Sequence, residues 1–177
     1  MVMSYENIIS FHGHSCPGLA IGYRMTKAAL RRLEGKRAED EEIVAIVENN
    51  ACGVDALQCV SGCTFGKGNL IFKDYGKPVY TLFNRKTGKG VRVVSHTENA
   101  PEHIRNNRSK YISWLLEAPE EELLKLEETD IEEPEYARIF ESVQCAFCKE
   151  RVMIIRTKKI EGKICCIPCA EKSEKRK

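Results

Sequence analysis

No apolar run in this chain of 177 residues approaches the ~20 needed to cross a bilayer as a helix. A surplus of charge of one sign is also missing. The formal net charge is +2, which argues against a general affinity for nucleic acid or anionic membrane. Aromatic residues make up 7%, so the core is expected to rest on Val, Ile, Leu and Ala. The N-terminal stretch MVMSYENIISFHGHS has no charged segment followed by an apolar one, so no signal peptide is expected and the chain is read as cytoplasmic. No internal repeat of useful length is present.

What the chain does have is cysteine, nine in all. An odd number pairs badly as disulfides, and cytosolic thiols stay reduced, so clustered cysteines point to metal ligation or reactive groups. They fall mostly into two clusters of different character.

The C-terminal cluster is Cys145-Ala-Phe-Cys148 and Cys166-Ile-Pro-Cys169, two Cys-x-x-Cys pairs separated by 17 residues. Each pair presents two thiolates to one tetrahedral ion. A hairpin from Arg151 to Ile160 around Gly162, then a short helix through Ala170, Glu171 and Lys172, gives the layout of a treble-clef zinc finger. So short a segment buries little core, and the metal is expected to supply its folding free energy. Zinc is the commoner occupant, with rubredoxin-like iron the alternative. Cys165 completes no pair and reads as a small buried residue. The tail from Glu171 to Lys177 reads as a solvated, basic end.

The N-terminal cluster is Phe11-His12-Gly13-His14-Ser15-Cys16-Pro17-Gly18. Pro17 suits the first position of a helix running to about Leu33, with Gly35 beyond it. Cys16 therefore lies at a helix N-terminus, where thiolate is favoured, and Gly13 lets both imidazoles turn towards a common point. The strand Ile43 to Val47 is followed by Cys52 and a second helix, Gly53 to Val60, so a second thiol precedes a second helix. His14, Cys16 and Cys52 are the expected protein ligands of a metal, with zinc the leading candidate. His12 and Asp55 are expected either to ligate as well or to support a ligand from behind, and one position is left open. Asp55 is open to three readings: ligand, acceptor for a ligating imidazole, or helix-start acid. Cys59 reads as core packing and Cys63 as intermediate.

The run Gly62-Cys63-Thr64-Phe65-Gly66-Lys67-Gly68 lacks the spacing and hydroxyl of a phosphate loop, which excludes nucleoside triphosphate hydrolysis. Lys67 is expected to face the metal pocket and meet an anionic ligand. Further strands are expected at Leu70 to Phe72, Val79 to Phe83 and Val91 to Val94, the last two joined by a turn at Thr87 to Gly90. Helices follow at Ile104 to Leu116 and Pro119 to Glu128, and an acidic linker at Glu127 to Glu135. The fold class is α+β, with a mixed sheet flanked by helices. The domain division places a metal-binding core at 1–139 and the finger at 140–177.

The Phe-His-Gly-His-x-Cys-Pro-Gly block, Asp55, the Gly62–Lys67 block, Gly88-Lys89-Gly90 and the finger together resemble the FmdE family, named for its link to formylmethanofuran dehydrogenase. The resemblance implies an α+β core of thioredoxin-like character, a metal site in that core and a treble-clef finger behind it. It further implies partnership with subunits of a molybdenum or tungsten formylmethanofuran dehydrogenase. The leading functional expectation is accordingly a metalloprotein serving an anaerobic oxidoreductase of one-carbon metabolism, as accessory subunit, metal or cofactor handler. The alternatives are a stand-alone zinc enzyme, with His12 or Asp55 as base and Lys67 holding substrate, and an iron–sulfur redox protein using Cys16, Cys52, Cys59 and Cys63. A homodimer is an admissible assembly; membrane and nucleic acid are not expected partners.

Overall fold

The computed structural model describes residues 3–174, so the last residues of the basic tail lie outside them. The chain divides into two compact units, Met1–Ala137 and Arg138–Lys177.

In the larger unit α1 (Tyr5–His12) and α2 (Pro17–Arg32) precede strand β1 (Ile43–Val47), helix α3 (Gly53–Ser61) and strands β2 (Leu70–Phe72), β3 (Val79–Asn84) and β4 (Lys89–Ser95). Short helices α4 (Glu102–Arg105), α5 (Arg108–Glu117) and α6 (Glu120–Leu123) lead to strand β5 (Leu124–Thr129). The sheet is mixed, in the order β2-β1-β3-β4-β5. Only β1 and β2 run parallel, with Ala45 opposite Leu70; β1–β3, β3–β4 and β4–β5 are antiparallel. The Ile-Val-Ala-Ile-Val run of β1 and the wholly buried β3 form the centre of the sheet. Leu19 and Met25 of α2 join Leu57 of α3, Leu82 and Val93 in one core. Each such aliphatic side chain contributes roughly 1.5–3 kcal/mol by leaving water.

Three expectations differ from the structure. The N-terminal residues form α1, started by a capping box in which Ser4 and Asn7 bond each other's backbone N–H. The helix expected from Ile104 to Leu116 is broken, because Asn107 is extended and its side chain accepts from the Lys110 amide, starting α5 afresh. The helix expected from Pro119 to Glu128 lasts one turn. Leu124 and Leu126 then alternate with charged residues, and the segment pairs with β4 as an edge strand.

The acidic segment after β5, expected as a linker, is strapped to the core by Arg85. That side chain is 5% exposed. It donates to the carbonyls of Glu41, Pro134 and Glu135, pairs with Glu133 and stacks on Tyr136.

The smaller unit has strands β6 (Ser142–Gln144), β7 (Arg151–Met153), β8 (Thr157–Ile160) and β9 (Lys163–Cys166), then helix α7 (Ile167–Glu174). β8 and β9 form the hairpin, turning at Glu161-Gly162, and β6 pairs with β7. Knuckle, hairpin and helix follow one another as in a treble clef.

Candidate metal centres

The first site is assembled where α1, α2 and α3 meet. α2 and α3 cross at a pair of glycines. A Cβ on Gly22 would lie 2.4 Å from both the Cα and the carbonyl oxygen of Gly53, so the two backbones approach as closely as glycine alone permits. At the N-terminal end of the crossing, a Cβ on Gly18 would lie 3.3 Å from the Cβ of Cys52 and 4.0 Å from Cys16 Sγ. Small residues thus bring the two cysteine-bearing helix starts together.

Cys16 caps α2: its Sγ accepts from the Leu19 amide at 3.3 Å. α1 ends at His12, and Gly13, at φ +95°, reverses the chain in the left-handed region so that His14 returns beside it. The two imidazole centroids are 4.6 Å apart. His12, His14 and Cys16 each offer a ligand atom, and these atoms lie within 4.8 Å of one another. Donors about 2.0–2.3 Å from a common ion are separated by comparable distances. Cys16 is buried, His12 half-buried and His14 exposed, so the site opens to solvent on the His14 side.

Behind His12 stands Asp55, on the first turn of α3, with Oδ2 2.7 Å from His12 Nδ1. A carboxylate there holds the proton on Nδ1 and leaves the Nε2 lone pair facing Cys16, whose sulfur is 3.9 Å away. Gln58 Nε2 donates to the other oxygen of Asp55 at 3.4 Å. The donor set of two imidazoles, a thiol and a carboxylate-oriented ring suits zinc and related borderline cations.

Cys52 is adjacent to this group rather than within it. Its thiol is pushed up first by burial and then by its hydrogen bond to the Cys16 side chain. Beneath it lies a residue that sequence reasoning misses, Tyr80 of β3. A Cβ on Gly53 would meet its hydroxyl at 2.5 Å, and its phenol is pushed up by burial and by the charges of Cys52 and Asp55. A tyrosine in a buried strand carries no sequence signal of such a neighbour.

Lys67 is committed elsewhere. Its ammonium donates to the carbonyls of Ala38, Glu39 and Asp40 at 3.4, 3.2 and 3.1 Å. Buried Asn69 also binds the Asp40 and Ile43 carbonyls and accepts from the Thr64 amide. The glycine-rich loop is therefore a pinned corner, and Gly62, at φ +74°, sits where a Cβ would be 2.3 Å from the Ala38 carbonyl oxygen. Cys63 is part of the same corner. Its thiol donates to the Ile43 carbonyl at 3.2 Å and burial pushes it up to about 11. Cys59 is buried in the core. Among the described residues, neither cysteine joins a group competent to hold a metal, so the four-cysteine cluster with Cys16 and Cys52 is not assembled.

The second site is the finger. The ligand atoms of Cys145, Cys148, Cys166 and Cys169 lie within 4.8 Å of one another, with Cys148 and Cys166 sulfurs 3.8 Å apart. The Cys166 amide donates to Cys145 Sγ at 3.3 Å. That bond is the first cause holding the Cys145 thiol down at about 6. Cys148 is pulled down by its backbone bond at Glu150, but burial and its three neighbouring thiols push it up to about 12. Such a divided set of thiols is one whose protons a divalent ion displaces. Cys165 points away, buried, donating to the Lys158 carbonyl.

Comparisons with known proteins agree with this arrangement. The sequence model of the family described as "FmdE, Molybdenum formylmethanofuran dehydrogenase operon" matches residues 11–129. An FmdE-like protein of tungsten formylmethanofuran dehydrogenase from Syntrophus aciditrophicus has a similar crystal structure. The TM-score is 0.73 at 28% identity, over 97% of this chain and 94% of that one. A probable S-adenosyl-L-methionine-binding protein of Archaeoglobus fulgidus is 36% identical over 90% of this chain, and the chain spans about half (50%) of that relative's length.

Proposed function

Since the chain belongs to the FmdE family, we propose that it is a two-metal accessory protein of a molybdenum or tungsten formylmethanofuran dehydrogenase, acting in the cytoplasm as a metal or cofactor handler. Its finger holds structural zinc on Cys145, Cys148, Cys166 and Cys169. Its N-terminal site holds a second ion, zinc by the chemistry of the donors, on His12, His14 and Cys16. Cys52 hydrogen-bonds to the sulfur of Cys16, Asp55 orients His12, and one coordination position stays open for an exchangeable ligand.

The observation that carries this reading is the convergence of His12, His14 and Cys16, from two helices and the turn between them, with Asp55 behind His12. Three protein donors with one face in solvent is the arrangement of a working site rather than a closed structural one.

Metal analysis of the purified chain tests it. About two equivalents are expected in the wild type and about one in Cys16→Ala, with mixed sulfur and nitrogen neighbours in X-ray absorption of the site lost. A pure four-sulfur environment, or unchanged metal content in Cys16→Ala, overturns the N-terminal assignment. Co-purification with the catalytic subunits of a formylmethanofuran dehydrogenase tests the partnership.

A further inference from the structure

We infer that Arg108 is the anion-holding residue of the N-terminal site, and that the exchangeable ligand it receives is a small carboxylate; the inference rests on the metal-site reading above.

Arg108 opens α5, far away in sequence, yet its Nη2 donates to the Ser15 carbonyl at 2.9 Å. Ser15 is the residue between His14 and Cys16, so the guanidinium is tied to the backbone that carries two of the proposed ligands. That backbone is itself anchored. Tyr5 Oη lies 3.1 Å from Ser15 Oγ and also donates to the Cys16 carbonyl at 3.5 Å.

A guanidinium has five N–H donors in a planar fork. The Ser15 carbonyl takes one from a single nitrogen, and among the described residues no carboxylate forms an ion pair with Arg108. The group is exposed, as is His14. An uncompensated fork therefore stands at the solvent side of the site, next to the imidazole on its open face. The other nearby acid, Asp55, is occupied by His12 Nδ1 and Gln58. Lys67, the cation the sequence suggests for this task, is spent on three carbonyls of residues 38–40.

A planar carboxylate suits the remaining donors. One oxygen meets the guanidinium edge and the other reaches the open side of the site, a division of labour that arginine supports better than lysine. Arg108 is also the first residue of α5, so a carboxylate there gains from the partial positive charge of the helix start.

The test uses the full chain loaded with cobalt(II), whose visible bands report exchange at the open position, and acetate as the probe. Wild type and Arg108→Gln are expected to take up the same amount of cobalt, while the acetate dissociation constant rises about tenfold or more in the variant. Arg108→Lys, which keeps the charge and loses the fork, is expected to fall between them. Equal acetate affinity in all three overturns the inference while leaving the metal site standing. If His14→Ala takes up as much cobalt as the wild type, the metal-site reading fails, and the inference with it. Should Arg108→Gln not fold, Arg108→Lys gives the same comparison.

Discussion

Asp55 Oδ2 lies 2.7 Å from Nδ1 of His12, a residue 43 positions earlier in the chain. The bond joins the last residue of α1 to the first turn of α3, and its energy is spent on orientation. A neutral imidazole has one donor and one acceptor nitrogen, and the carboxylate decides which is which. His12, a candidate base on its sequence, is better placed as a donor to metal, with the carboxylate making its ring more basic.

Asp55→Asn is therefore expected to keep the fold and the number of metals bound while weakening the N-terminal site about 10–100-fold. Competition against a chromophoric chelator reads this directly. An affinity equal to that of the wild type would mean that the pair serves only to pack α1 on α3.

The alkaline limb of stability should carry the signature of Cys63. Burial holds its thiol at about 11, against an ordinary 9.0. Above pH 9 the unfolded chain releases a proton that the native chain still holds, so stability falls as pH rises and the loss is complete near pH 11. Across that interval it amounts to about 2–3 kcal/mol. Urea unfolding from pH 8 to 11 should show a shallower decline in Cys63→Ala than in the wild type. Parallel curves would refute the assignment of this slope to Cys63.

Local signals explain which parts of this molecule are legible in its sequence. Pro17 marks the start of α2, five β-branched or small apolar residues mark β1, and the paired cysteines of the finger mark their own convergence. α1 goes unmarked because its capping box uses Asn7 where Glu or Gln is the usual cue. With α1 unseen, His12 cannot be placed one turn before Cys16. β5 reads as helix because Leu123, Leu124 and Leu126 among glutamates fit both periods, and its pairing with β4 is a long-range fact. The partners of Lys67 lie 27–29 residues away, and nothing in a glycine-rich motif announces carbonyls at that distance.

The finger and the core are expected to fold independently. The core's own strap ends with Tyr136 stacked on Arg85 and the Ala137 amide bonded to Glu41, so a chain ending at Ala137 retains every element of the sheet. It should unfold cooperatively and keep one metal. Aggregation with loss of that metal would reveal a core that depends on the finger.

In the full chain, changing Cys145, Cys148, Cys166 or Cys169 singly to Ser should lose about one zinc and leave the last forty or so residues open to protease, since little else holds so small a unit together. Limited proteolysis followed by mass spectrometry locates the cuts. Protection unchanged in all four variants would show that packing alone, around Ala170 and Cys165, suffices.

Gly22→Ala tests whether the crossing of α2 and α3 builds the N-terminal site. The new methyl carbon would stand 2.4 Å from Gly53 Cα and carbonyl oxygen, backbone atoms that cannot rotate away, so the helices must separate. Overpacking of this kind costs roughly 1–3 kcal/mol. Separation also moves Cys52 and Asp55, on α3, away from Cys16, on α2. The variant should therefore lose both melting temperature and affinity at the N-terminal site, while the finger, which shares no residue with the crossing, keeps its zinc. A control such as Ala29→Gly, on the same helix but away from Gly53, loosens α2 without displacing α3. It should lower stability and spare metal affinity. If Gly22→Ala also spares it, the close approach of the two helices is packing alone, and the site is held by α1 and the first turn of α2.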